Sequence, residues 1–203
     1  KYAAMVISGQ VSPSSESKQE EKVNAGPPPT NSATFFNSVM ADAVATAAAA
    51  ELASPPPDIS VPSIKKGEPV WFGCDVGKFS DRSIGIMDLK YLDYNITYDI
   101  EFNLNKSNRL KYGESAMTHA MTLNAVDLGN NNDINHTKKW RVENSWGEDR
   151  GEKGYFTMTD EWFDEYVYQV VIDRNILSGD ILNLIKNETP IAFPPWDPLG
   201  ALA

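Results

Sequence analysis

From Ile64 onward, apolar and polar residues follow the short periods of a compact domain. Residues 69–74 form an apolar run of strand length. Residues 84–104 scatter apolar and β-branched positions, which predicts strands with turns at Asn95 and Asn103. Residues 119–128 alternate as a half-buried strand and stop at Gly129-Asn-Asn-Asn132, a turn-forming cluster. Residues 140–144 make another strand, with Trp140, Val142 and Asn144 on one face because side chains alternate across a strand. Gly151 and Gly154 bracket a turn before a strand over 155–158. Thr159 is placed to cap a helix over 160–165, whose first-turn carboxylates suit the helix dipole. A β-rich run over 166–172 and a small helix over 179–186 complete the series. The pattern is α+β, dominated by an antiparallel sheet, with no internal repeat.

Residues 1–63 differ. Polar and proline-rich stretches flank an Ala-rich run over 35–52, which reads as a helix on propensity and ends at Ser54-Pro55. Its apolar positions form no clear stripe, and the prolines around it predict linkers and partial disorder. The sequence therefore divides into a low-complexity Ala/Pro-rich segment, 1–63, and a folded unit, 64–203. The formal charge is −10, and the acidic excess extends over both parts. Nucleic acid is a poor partner for such a chain, since phosphate binding needs clustered Lys and Arg. The single cysteine, Cys74, excludes an internal disulfide and suits a reducing compartment. No apolar run reaches the roughly 18 residues of a membrane span, and no signal peptide is expected, so no membrane partner is either.

Two residues are candidates for chemistry. His119 opens an apolar strand, which would hold an imidazole rigidly at a sheet end. Asn144 precedes Ser145-Trp146-Gly147, and its amide oxygen could accept a hydrogen bond from a catalytic imidazole. The expected geometry has the Nδ1–H donating to Asn144, leaving Nε2 to face a nucleophile. Trp146 could screen that bond from water, and Gly147 would allow the sharp turn behind the indole. Taken singly, His119 is a packed histidine and Asn144 a capped turn. Together, a His opening one strand and Asn-Ser-Trp-Gly closing another resemble the papain-like cysteine peptidases. Gly67-Glu-Pro-Val-Trp-Phe-Gly-Cys-Asp-Val-Gly-Lys78, Met117-Thr-His-Ala-Met121, Met158-Thr-Asp-Glu-Trp-Phe163 and Pro195-Trp-Asp-Pro-Leu-Gly-Ala-Leu202 narrow the likeness to the bleomycin hydrolase family. The likeness runs from Ile64 to Ala203; residues 1–63 do not share it.

This resemblance implies a papain-like fold of two lobes, of which the chain carries the sheet-rich lobe with His119 and Asn144. The helical lobe with the nucleophilic cysteine is absent. It also implies a cytoplasmic cysteine aminopeptidase, without cofactor, that assembles as a hexamer. Such enzymes act on peptides with a free N-terminus, on the bleomycin amide and on homocysteine thiolactone. Their C-terminal arm, matched here by residues 194–203, reaches the active-site cleft. Its end would be the Ala203 carboxylate, positioned to bind the substrate's amino group and so to favour free N-termini.

Cys74 is not the expected nucleophile. His119 follows it by 45 residues (119 − 74) and Asn144 by 70 (144 − 74), against roughly 130–150 in compact papain-like enzymes. It also lacks the upstream Gln and the Cys-Trp pair of the family motif, and Asp75 beside it would raise a thiol's pKa. A chain with His119 and Asn144 alone is expected to be inactive. A truncated gene model, a proteolytic fragment and a subunit completed by another polypeptide all fit. The alternative function is a non-catalytic interaction or assembly module derived from the peptidase lobe. His119 and His136 are the only histidines and lack further ligands at metal spacing, so no metal site is expected.

Overall fold

Eight strands form one sheet in the order β1-β8-β2-β5-β6-β7-β4-β3, in a computed structural model that describes residues 5–8, 59–130, 132–187 and 196–199. Strands β1 (Met5–Ser8), β2 (Val70–Cys74), β3 (Ser80–Asp81) and β4 (Ile86–Met87) come first. They are followed by β5 (His119–Asp127), β6 (Lys139–Glu143), β7 (Tyr155–Thr159) and β8 (Val167–Asp173). Among the described residues, the α-helices beside them are α1 (Val61–Lys65), α2 (Tyr94–Tyr98), α3 (Lys106–Lys111), α4 (Asp160–Tyr166) and α5 (Gly179–Asn187). The Ala-rich run over 35–52 and the end of the C-terminal arm lie outside the described residues.

The expected α+β class holds, and most pairs are antiparallel. Two are parallel, β1 with β8 and β4 with β7. The strand β1 arises in a segment that the sequence pattern did not mark as structured.

The core takes in β2 and β8, buried along most of their length, and the inward residues of β6 and β7, where burial alternates strictly. Trp140 and Val142 on β6 are buried, with Lys139, Arg141 and Glu143 exposed between them. Phe156 and Met158 on β7 repeat the pattern. Helix α4 lies over this face, where Phe163 stacks on Trp140 with ring centroids 5.1 Å apart. Its N-cap is Thr159, whose hydroxyl accepts the Trp162 N–H at 3.3 Å. The Trp140 indole donates to Asp160 at 2.8 Å, so the helix's first-turn carboxylate also satisfies a buried donor.

Residues 84–104 depart from the expected strands. The Ile86–Met87 strand is only two residues long, and Tyr94–Tyr98 is helical. Asp93 caps that helix by accepting from Ile96 N at 3.1 Å, and Tyr94 stacks on Tyr98 one turn later at 6.1 Å. Local side-chain capping and an i,i+4 aromatic pair thus outweigh β-branched composition. Helix α3 was equally unexpected. It starts at Asn105, which accepts from Asn108 N at 2.9 Å, and carries Arg109 and Lys111 in its last turn, where cations complement the dipole.

Close backbone approach fixes the β4–β7 edge. A Cβ on Gly151, at φ +60°, would stand 2.3 Å from the Tyr155 carbonyl oxygen, and Gly85 faces it across the gap. Only a residue without a side chain fits there.

Candidate active site

His119 is the first residue of β5 and Asn144 the residue after β6, and β5 and β6 are neighbours in the sheet. The backbone N–H of Asn144 donates to the Gly154 carbonyl at 3.1 Å, which ties the strand's continuation to the turn before β7. With both chain ends so held, the two side chains meet. His119 Nε2 lies 2.9 Å from Asn144 Oδ1. The amide orientation follows from its neighbours: Oδ1 also accepts the Ser145 N–H at 2.8 Å, so the oxygen serves two donors. The imidazole nitrogen engaged is therefore Nε2, and the expected Nδ1 contact is corrected. His119 reaches Asn144 with the far edge of its ring, which leaves Nδ1 as the nitrogen that can face a reacting group.

Trp146 covers the contact. Its indole stacks on the imidazole at 4.8 Å with 25° between planes, and Phe156 meets the indole edge-on at 6.0 Å. The chain can reverse behind the indole because Gly147 adopts φ +96°. The sequence pattern did not identify Arg82, whose guanidinium carbon lies 4.5 Å over the Trp146 ring. Nothing in the spacing of a polar loop residue points across the sheet, so only the fold reveals it.

Burial holds the His119 pKa below its ordinary value. The Asn144 hydrogen bond pulls it upward and the Arg82 charge pushes it further down. The isolated imidazole is thus a weak base that needs an anion beside it to stay protonated. A thiolate at Nδ1 would be such an anion.

Cys74 closes β2 and is the register partner of His119 across the β2–β5 ladder. Proximity does not make it a nucleophile here. The side chain is wholly buried in the core, and among the described residues no hydrogen bond joins its sulfur to the imidazole. Burial first, and the Asp75 charge second, push the thiol pKa well up, so at neutral pH it is a thiol and not a thiolate. The Asp75 effect is the one the sequence suggested.

His136 sits apart, bonded through Nδ1 to Asp133 at 2.7 Å on the surface. Ala203 lies outside the described residues. Within the arm, residues 196–199 are described, and Leu199 is buried.

The sequence profile of the Peptidase C1-like family matches residues 55–200. The bleomycin hydrolase of Homo sapiens is 54% identical over 142 residues, which cover 70% of this chain and 31% of the relative. The aminopeptidase C of Lactococcus lactis subsp. lactis (strain IL1403) is 50% identical over 145 residues, covering 71% and 32%. The crystal structure of PepW from Lactobacillus rhamnosis HN001 superposes with a TM-score of 0.67 at 49% identity, covering 72% of this chain and 32% of that one. The chain spans about a third of the length of the relatives it matches. An imidazole and an amide joined edge to edge under a tryptophan, in a chain that superposes on PepW at about half sequence identity and matches the family profile over residues 55–200, lead to one assignment: the chain belongs to the Peptidase C1-like family.

Proposed function

We propose that this chain supplies the imidazole–amide half of a thiol aminopeptidase site, completed by a cysteine that is not Cys74 and lies outside these 203 residues. The observation that carries the reading is the 2.9 Å contact between His119 Nε2 and Asn144 Oδ1, stacked under Trp146. His119 Nδ1 then pairs with the incoming thiol and takes its proton. The thiolate attacks the carbonyl carbon of the substrate's first residue. The imidazolium gives its proton to the departing amine as the C–N bond breaks, leaving a thioester. Water, deprotonated by the neutral imidazole, attacks the thioester and releases the amino acid and the thiol. Asn144 stays bonded to the ring through both halves, holding its tautomer.

The relatives' names, bleomycin hydrolase and aminopeptidase C, support peptides with a free N-terminus and the bleomycin amide as substrates, and homocysteine thiolactone is added on the family resemblance alone. The Ala203 carboxylate would read the amino group. Assembly into a cytoplasmic hexamer belongs to the same reading. Alone, the chain is inactive, because Cys74 stays a buried thiol.

A chimaera tests this. Residues 64–203 replace the matching segment of human bleomycin hydrolase, and an aminoacyl fluorogenic substrate is assayed beside the 203-residue chain alone. Activity of the chimaera, lost with His119→Ala, together with an inert isolated chain, is the expected result. Hydrolysis by the isolated chain that disappears with Cys74→Ser would overturn it. An inert chimaera that still assembles would favour the non-catalytic assembly module.

A further inference from the structure

His119 begins β5 and is held on one side by its ladder partner Cys74, so the remaining freedom of its backbone lies in the path of Ser115–Thr118 that leads into it. These residues are not in a strand or helix, and no ladder of backbone bonds fixes them. They are fixed from two sides instead.

On one side lies Asp75, the residue after β2, which is buried. Its carboxylate accepts from Ser115 Oγ at 2.7 Å, from Ala116 N at 3.3 Å and from Thr118 Oγ1 at 3.5 Å. Ser115 Oγ is also 2.6 Å from the Tyr168 hydroxyl, which belongs to β8. The backbone agrees, since Thr118 N donates to the Cys74 carbonyl at 3.0 Å and Asp75 N to that of Tyr166 at 3.1 Å. On the other side, Met117 N donates to the Pro198 carbonyl at 2.8 Å. Leu199 packs with Met117, Leu110 and Tyr168 in a small buried cluster of its own. One carboxylate therefore gathers three donors from the segment, and the C-terminal arm covers the opposite flank.

We propose that Asp75 is a positioning residue for His119, fixing the Ser115–Thr118 path that delivers the imidazole to Asn144. Its bonds go to Ser115, Ala116 and Thr118 and not to the imidazole, so it acts through the chain it holds. The inference rests on the functional reading above only where turnover is measured. A buried carboxylate could serve stability alone, and the two roles separate in experiment. If shape is what matters, Asp75→Asn rescues. An amide offers one oxygen to Ser115 and Ala116, and its nitrogen can donate to the Thr118 hydroxyl. Asp75→Ala offers nothing, and a small misplacement of a catalytic group lowers turnover steeply.

Two readouts decide it. In the full 203-residue chain, the exchange rate of the His119 Nε2–H proton is followed by NMR. In the chimaera, kcat and KM are measured separately. Asp75→Ala is expected to speed exchange at least about 10-fold and to lower kcat about 10–100-fold with little change in KM. Asp75→Asn stays within a few-fold of the parent. If Asp75→Ala does not fold, Ser115→Ala and Thr118→Val remove the accepted bonds one at a time and are expected to give smaller effects in the same direction. A folded Asp75→Ala chain with unchanged Nε2–H exchange and unchanged kcat overturns the proposal, as do unchanged values in both single-bond variants. An inactive parent chimaera whose Nε2–H proton is protected, and loses protection with Asp75→Ala, sinks the aminopeptidase reading and leaves the positioning role standing.

Discussion

Replacing Trp146 by alanine perturbs the site at one point, and the structure sets the size of the effect. The indole makes two ring contacts, with His119 at 4.8 Å and Phe156 at 6.0 Å, and lies under the Arg82 guanidinium at 4.5 Å. Aromatic pairs contribute roughly 0.5–1.5 kcal/mol each beyond their buried area. An exposed cation over a ring adds about 0.5–1 kcal/mol. Trp146 is half-buried, so the loss falls short of the roughly 3–5 kcal/mol of a fully buried tryptophan. We expect Trp146→Ala to destabilise the chain by about 2–3 kcal/mol in urea denaturation at neutral pH. The titration should move as well. Burial is the main reason the His119 pKa is low, and removing its cover lets the midpoint rise toward the ordinary value of about 6.5. Between the folded value and the ordinary one, the unfolded chain binds the proton more readily. The parent therefore loses stability as pH falls through that window, and the variant loses less. The destabilisation should shrink on acidification. The imidazole Cε1–H resonance of His119, followed by NMR against pH, gives the midpoint. A stability change within about 0.5 kcal/mol, the range of ordinary surface substitutions, would refute the reasoning, as would an unmoved midpoint.

Two further outcomes follow from titratable groups elsewhere. Burial first, then the neighbouring Asp160 carboxylate, push Asp164 up to about 6. A raised carboxyl stabilises the fold below its ordinary value and loses that contribution as pH rises through the folded one. Asp164→Asn should therefore gain stability over the parent between about pH 4 and pH 6 and hold the gain above; parallel denaturation profiles across that range would contradict it. Cys74 should resist alkylation by iodoacetamide in the native chain at neutral pH and react fully in urea, followed by mass spectrometry. Rapid native labelling would show a thiolate that its burial forbids.

The strict two-residue alternation of β6 and β7, the Thr159 cap and the glycines near residue 151 make the central sheet and α4 readable without coordinates. Each is a local effect, decided by a few neighbours in the chain. The two side chains that meet are readable for a similar reason, since His119 and Asn-Ser-Trp-Gly147 stand at strand ends that the pattern marks. Residues 84–104 mislead, because one capping aspartate and a tyrosine pair outweigh composition in so short a stretch. Three things came only from the tertiary structure: which imidazole nitrogen meets Asn144, the Arg82 guanidinium over the indole, and the Asp75 carboxylate gathering Ser115, Ala116 and Thr118. Sequence alone determined which side chains this protein has available at the ends of its strands. The pairing register across β2, β5 and β6 decided which of them touch, because contacts between groups 25 to 43 residues apart depend on how strands align and not on any local preference.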